Sequence, residues 1–228
     1  MSVLVVDADD FGHSAGVNAG IVEAHERGIV TSASLMVRRP EAAAAAAYAR
    51  AHPELSVGLH AELGEWAYRG ADGWVAVDEV EDGAVPAEIE RQLELFRALL
   101  GRDPTHLDSH QHVHLREPAR SALVALGRRL GVPVRHLTGD VRYCGDFYGK
   151  TDTGEPLPAR ISAEALIGVL RSLPEGTTEL LCHPGKGVIS GTSYAQERVR
   201  ELEALCHPAA RAAVREAGIE LRSFGELR

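Results

Sequence analysis

Carboxylates and imidazoles gather at the ends of short apolar runs in this chain. The run Val3 to Val6 leads into D-A-D-D-F-G, which carries Asp7, Asp9 and Asp10. A second run ends G-L-H at His60, a third reads T-H-L-D-S-H-Q-H-V-H with Asp108, His110, His112 and His114, and a fourth ends L-L-C-H-P-G at His183. One carboxylate and two imidazoles are a common ligand set for a catalytic divalent metal, leaving positions open for water and substrate. Such an ion lowers the pKa of water from about 15.7 towards about 7. A second carboxylate nearby can take the water's proton, and a histidine opposite can protonate a leaving group.

For these side chains to meet, the runs must be strands of one sheet with their carboxyl ends together, as in parallel α/β folds. Short apolar runs do alternate with stretches of helical period, the pattern of repeated βα units. Strands are predicted at 3–6, 33–37, 55–60, 105–109, 132–137, 179–182 and 219–221. Helices are predicted from Ser14 to Gly28, through the Ala-rich stretch 41–52, from Pro86 to a stop at Gly101, from Pro118 to a stop at Gly131, over 163–173 and across 194–217. Residues 64–85, with both tryptophans, read as an excursion at one end, and 139–160 show no strong period. About seven βα units in one domain spanning 1–228 point to a distorted or incomplete TIM-like (β/α) barrel of parallel strands.

Composition narrows the classes. The chain has 228 residues, 45% apolar and 25% charged, enough to bury a full core. Its 24 Lys and Arg against 33 Asp and Glu give a net charge of −9, and the basic residues are scattered, which argues against nucleic acid as a partner. No apolar run approaches the roughly 20 residues of a membrane span, and no targeting segment stands at the N-terminus, so a cytoplasmic protein is expected. Cys144, Cys182 and Cys206 lack C-x-x-C spacing, which suggests neither disulfides nor a thiolate zinc site.

The stretches D-A-D-D-F-G (7–12), G-I-V-T-S (28–32), G-L-H (58–60), T-H-L-D-S-H-Q-H-V-H (105–114) and C-H-P-G (182–185) resemble the YdjC-like carbohydrate deacetylases, a family that includes chitooligosaccharide deacetylases. They run in consistent order through most of the chain. The resemblance implies a distorted barrel, one bound divalent metal, and hydrolysis of the acetamide on N-acetylglucosamine units of a small oligosaccharide. By motif it implies Asp10, His60 and His110 as metal ligands, Asp9 as general base, His183 as general acid and Arg135 as the residue orienting the base. The family is described with magnesium, whereas two imidazoles favour zinc or a similar transition ion; a homodimer is the family expectation. Asp7 stands where many relatives carry asparagine, and its charge is expected to raise the pKa of Asp9 by repulsion.

Each residue taken alone has a plainer reading. Asp9 or Asp10 could cap the following helix, His60 could be a hydrogen-bonded core histidine, and His183 before Pro184 could simply end a strand. In the 110–114 segment an extended chain would put all three histidines on one face, whereas a helix would align only His110 with His114. His112 and His114 are therefore candidates for supporting roles, and Asp108 for holding a histidine in its ligand orientation. His106 falls among the surface or structural histidines. Trp66, Tyr68 and Trp74 fit either a platform for a sugar ring or packing of the excursion onto the barrel. Two rival classes use the same residues: a metal-dependent phosphoesterase or amidohydrolase, and a non-catalytic sugar- or metal-binding protein.

Overall fold

A computed structural model describes every residue of the chain except Gly139, Val188, Ser190, Gly191 and Arg228. Its strands are β1 (Ser2–Phe11), β2 (Ser32–Leu35), β3 (Ser56–Ala61), β4 (Gly64–Tyr68), β5 (Trp74–Glu79), β6 (Leu107–Ser109), β7 (Val141–Cys144), β8 (Gly176–Cys182) and β9 (Glu220–Leu221). Its helices are α1 (Ala15–Glu26), α2 (Ala42–Ala51), α3 (Val85–Leu100), α4 (Ala119–Leu130), α5 (Ala163–Ser172), α6 (Ala195–Leu205) and α7 (Pro208–Glu216).

Seven of the strands form one parallel sheet in the order β6-β3-β2-β1-β8-β7, with β9 pairing the start of β1. The sheet curls into a half-barrel, the α/β architecture that the alternation of runs implies. β1 lies at its centre and is buried from Leu4 to Phe11, which explains its unbroken aliphatic start: a strand covered on both faces has no solvent side to make polar. Each fully buried Leu, Ile or Phe here contributes about 1.5–3 kcal/mol through removal from water. No helix among the described residues is long and apolar enough to cross a membrane.

Local signals place most helix ends. Ser14 caps α1 by accepting from the Val17 amide at 3.3 Å. Gly101 and Gly131 end α3 and α4 in the left-handed conformation, with φ of 69° and 67°. The long helical stretch near the C-terminus is broken at His207-Pro208, because proline has no amide to continue the ladder, and so forms α6 and α7.

Two segments differ from the sequence expectation. Residues 132–137 are not a strand: Val134 alone makes a parallel bridge to Leu107, flanked by the bonds Leu107 N to Pro133 O and Arg135 N to Leu107 O, both 2.9 Å. The strand that pairs with β8 is instead β7, inside the 139–160 stretch that showed no period, of which Gly139 lies outside the described residues. β7 is only half-buried at an edge, so it lacks the continuous apolar run that marks inner strands. The excursion at 64–85 is an antiparallel hairpin of β4 and β5 that leads into α3.

Candidate metal centre and its buried ion network

The parallel register delivers the side chains to one end of the sheet. His60 on β3 lies directly beside Asp108 on β6, and His60 Nδ1 meets Asp108 Oδ1 at 2.9 Å. The other ring nitrogen, Nε2, faces Asp10 Oδ1 at 3.4 Å. His110 Nδ1 reaches the same Asp10 oxygen at 3.1 Å. Asp10 gets there through a break in β1: its φ is 70°, and the pairing with β2 shifts register between Ala8 and Phe11. Aspartate tolerates the left-handed region better than most residues, so the motif can turn this carboxylate out of the ladder while Asp7 and Asp9 stay in alternation.

The 110–114 segment is neither extended nor a regular helix. Gln111 and His112 both have left-handed φ, 52° and 54°, inside a tight turn over His110–Leu115. His110 goes to Asp10, whereas His114 Nδ1 pairs with the Ser109 hydroxyl at 2.8 Å and His112 Nε2 sits 3.4 Å from the Tyr143 hydroxyl. Burial pushes His112 down to about 3 and His114 down to about 4, so both rings are neutral at physiological pH.

Behind this layer stands a buried ion network around Arg135. Its Nη1 and Nη2 grip the two oxygens of Asp9 at 2.7 Å each. Nη2 also lies 2.8 Å from Asp7 and 2.9 Å from Asp108, and Nε lies 2.6 Å from Glu179. Ser34 Oγ and His106 Nε2 close the cluster, each 3.1 Å from Asp7 Oδ2. Burial alone would raise the Asp9 carboxyl, but Arg135 and His60 together hold it below its ordinary value. The expected upward shift from Asp7 is thereby overturned: Arg135 contacts both acids, and its charge outweighs any repulsion between them. Glu179, which meets only the Nε of Arg135, is pushed up to about 7, by burial first.

Among the described residues, three groups of side chains bring ligand atoms within 4.8 Å of one another: Asp10 with His60 and His110, Asp7 with His106 and Asp108, and Asp9 with His60 and Asp108. In the last two, Arg135 bonds an oxygen of every carboxylate, both of them in Asp9. In the first, Arg198 bonds Asp10 Oδ2 and leaves Oδ1 to the two imidazoles. Metal–ligand bonds of about 2.1 Å, at octahedral or tetrahedral angles, separate neighbouring donors by about 3.0–3.4 Å. The Asp10 Oδ1 distances of 3.1 and 3.4 Å match that spacing, and the donor set of one carboxylate and two imidazoles fits a divalent ion. His60 is raised well above its ordinary value because Asp108 and Asp9 outweigh its desolvation, so these surroundings attract positive charge, whether proton or metal ion.

His183 follows β8 and lies edge-on beside the stacked rings of Tyr148 and Tyr194, which are 4.8 Å apart, with its own centroid 5.5 and 5.4 Å from theirs. Its Nδ1 has no partner among the described residues, and burial pushes the ring down to about 4. Cys182, one residue earlier, points the other way; burial holds its thiol well above the ordinary value, so it is no nucleophile. On the hairpin, Trp74 is 53% exposed and packs edge-on to Tyr68 at 5.8 Å. Trp66 is tied to the His110 turn: its backbone N–H donates to Gln111 Oε1 at 2.8 Å and its carbonyl accepts from Gln111 Nε2 at 3.0 Å.

Residues without a motif also enter the site. Arg198 places Nη2 on Asp10 Oδ2, and Glu201 accepts from the His183 amide and from the Tyr194 hydroxyl, the latter at 2.6 Å. Both occupy the buried stripe of α6 with Leu202 and Leu205. A charged pair in the core-facing positions of an amphipathic helix was the readable signal. His106, expected at the surface or in a structural role, is fully buried, stacked on Phe224 at 4.0 Å.

The YdjC-like protein family model matches residues 3–216. A carbohydrate deacetylase of Geobacillus stearothermophilus is 36% identical over 98% of this chain and 97% of its own length. A chitooligosaccharide deacetylase of Serratia marcescens is 32% identical over 99% of each. Among solved structures, a proposed cellobiose-phosphate cleavage protein of Enterococcus faecalis superposes with a TM-score of 0.79 at 26% identity, covering 99% of this chain and 98% of that one. With a family match across nearly the whole sequence and full-length relatives above 30% identity, the chain belongs to the YdjC-like protein family.

Proposed function

We propose that this chain, as one domain over 1–228, is a metal-dependent hydrolase that removes the acetyl group from N-acetylglucosamine units of a small oligosaccharide. The observation that carries the reading is the pairing of two adjacent aspartates in different states: Asp10 faces two imidazoles, while Asp9 is held by both arms of Arg135. The names of the full-length relatives support the substrate class.

In this reading Asp10, His60 and His110 hold the ion. Bound there, a divalent ion supplies an acidified water and polarisation of the acetamide oxygen. Asp9, kept ionised by Arg135, takes a proton from the attacking water as it adds to the carbonyl carbon. Arg135 fixes which carboxylate edge faces the water, since both Asp9 oxygens are already bonded to it. His183 gives a proton to the sugar nitrogen as the C–N bond breaks and acetate leaves. Because burial keeps that ring neutral at rest, the proton it donates is the one that Asp9 has taken from the water, so each turnover moves one water proton to the departing nitrogen. His60 is aligned by Asp108, the carboxylate–histidine pairing that steers metal-ligand rings.

The ligand set favours zinc or a similar transition ion, and the family resemblance favours magnesium; elemental analysis of purified protein decides between them. The proposal includes a cytoplasmic chain working as a homodimer, checked by cell fractionation and light scattering. The deciding assay incubates the metal-loaded protein with N-acetylated chitooligosaccharides and with phosphorylated disaccharides. Release of acetate from the first is expected. Phosphate release alone would move the protein to the phosphoesterase class, and no release of either would leave a binding protein.

A further inference from the structure

Arg198 touches the candidate metal centre from behind. Its guanidinium is only 3% exposed, and Nη2 bonds Asp10 Oδ2, the oxygen turned away from the two imidazoles. The Asp10 carboxylate is therefore divided: Oδ1 serves His60 and His110, and Oδ2 serves Arg198. The arginine is itself fixed. Its carbonyl accepts from the Gly185 amide at 3.0 Å, and a Cβ on Gly185 would stand 3.0 Å from Arg198 Cβ, so the loop after His183 presses against it. Tyr194 places its ring 6.0 Å from the guanidinium carbon. Nε and Nη1 are buried with no hydrogen-bond partner among the described residues, so the polar contact that this buried guanidinium makes among them is the one with Asp10.

We infer that Arg198 is a positioning residue that restricts Asp10 to one-oxygen ligation and thereby biases the centre towards ions that prefer imidazole over ions that prefer oxygen. The inference rests on the assignment of Asp10, His60 and His110 as the metal ligands. A carboxylate with both oxygens free can bind an ion with either or both, an option that serves oxygen-preferring ions of adaptable geometry such as Mn²⁺ more than Mg²⁺, which demands a near-ideal octahedron. Holding Oδ2 with a cation removes that option and also takes negative charge from the site, which costs most for ions whose binding is mainly electrostatic. Zn²⁺, bound largely through the two ring nitrogens, loses least. Neither effect needs Arg198 to touch substrate.

The test is calorimetric titration of metal-stripped full-length protein with Zn²⁺ and with Mn²⁺, for the native chain, Arg198→Lys and Arg198→Met. In Arg198→Met the ratio of Mn²⁺ to Zn²⁺ affinity is expected to rise roughly tenfold or more. Arg198→Lys, which keeps the charge but not the fork, is expected to fall between. A ratio unchanged within about twofold, or an equal loss for both ions, overturns the inference. Should the variants fail to fold, X-ray absorption or a crystal structure of the native Zn²⁺ form gives the answer directly. Asp10 bound through Oδ1 with Arg198 still on Oδ2 sustains it, and Asp10 bidentate with Arg198 displaced rejects it. If the native chain takes up neither ion, the ligand assignment itself fails, a result distinct from uptake with an unaltered preference.

Discussion

A methyl group placed on Gly58 would stand 2.3 Å from Nε2 of His106. The glycine of G-L-H is thus small because the ring of His106, just ahead of the neighbouring strand β6, lies over it, stacked on Phe224 and pointing at Asp7. Gly58→Ala must push the ring off Asp7 or move β3, which also carries His60. Overpacking of this kind costs about 1–3 kcal/mol. For a domain of this size that is a fall in melting temperature of roughly 2–12 °C. Thermal unfolding followed by circular dichroism checks it; an unchanged midpoint would mean that the sheet accommodates the methyl group freely.

Asp108 does for His60 what a motif cannot advertise: its carboxylate accepts a hydrogen bond from Nδ1–H, which in the proposed centre leaves Nε2 for an ion. Asp108→Asn can no longer fix that tautomer, because its amide offers a donor as readily as an acceptor. Metal affinity is expected to drop roughly 10- to 100-fold. Part of any accompanying loss of stability comes from Arg135, which would keep one charge partner fewer. Equilibrium dialysis against a chelator series measures the affinity, and a value within a factor of two of the native one would remove Asp108 from that role.

Much of this site was legible because chemistry-bearing residues ended strands whose apolar runs were unbroken. Asp10, His60 and His110 do meet, and the half-barrel follows from the alternation of runs. What escaped has physical causes. β7 is a half-buried edge strand, so burial left no continuous apolar signature on it, and the strand expected at 132–137 contributes a single bridge. The turn at Gln111 and His112 depends on two left-handed residues that are not glycine, a conformation no local pattern announces. The sign of the Asp9 shift depended on Arg135, a residue 126 positions away. Arg198 and Glu201 hid in a helix whose polar residues are elsewhere ordinary surface.

Asp9→Asn separates the two aspartates of the pair. The side chain keeps its size and still offers an oxygen to Arg135, but it has no charge with which to take a proton. Turnover of an N-acetylated chitooligosaccharide is expected to fall by at least about 10²–10⁴, the usual worth of a positioned base. Metal uptake should be spared, since Asp9 lies outside the Asp10, His60 and His110 group. Acetate release and elemental analysis on the same sample read both properties. Near-normal turnover would take the base role away from Asp9, and loss of the ion would show that the two acids do not act separately.

His114 gives a prediction in pH. Its ring is completely buried and is pushed down to about 4, against an ordinary value of 6.5, with burial the leading cause. The unfolded chain therefore binds a proton at this residue between pH 6.5 and 4 that the folded chain refuses. The stabilising contribution is complete above pH 6.5 and is lost as pH falls towards 4; below 4 the folded ring protonates too and no more is lost. At about 1.36 kcal/mol per pKa unit the span is on the order of 3 kcal/mol. His114→Asn carries no such titration and can still accept from the neighbouring Ser109 hydroxyl. In urea unfolding of the metal-free protein, the native chain's advantage over this variant should shrink by about that amount between pH 6.5 and 4. A constant difference across that interval would mean that the His114 ring takes up its proton in the folded protein as readily as in water.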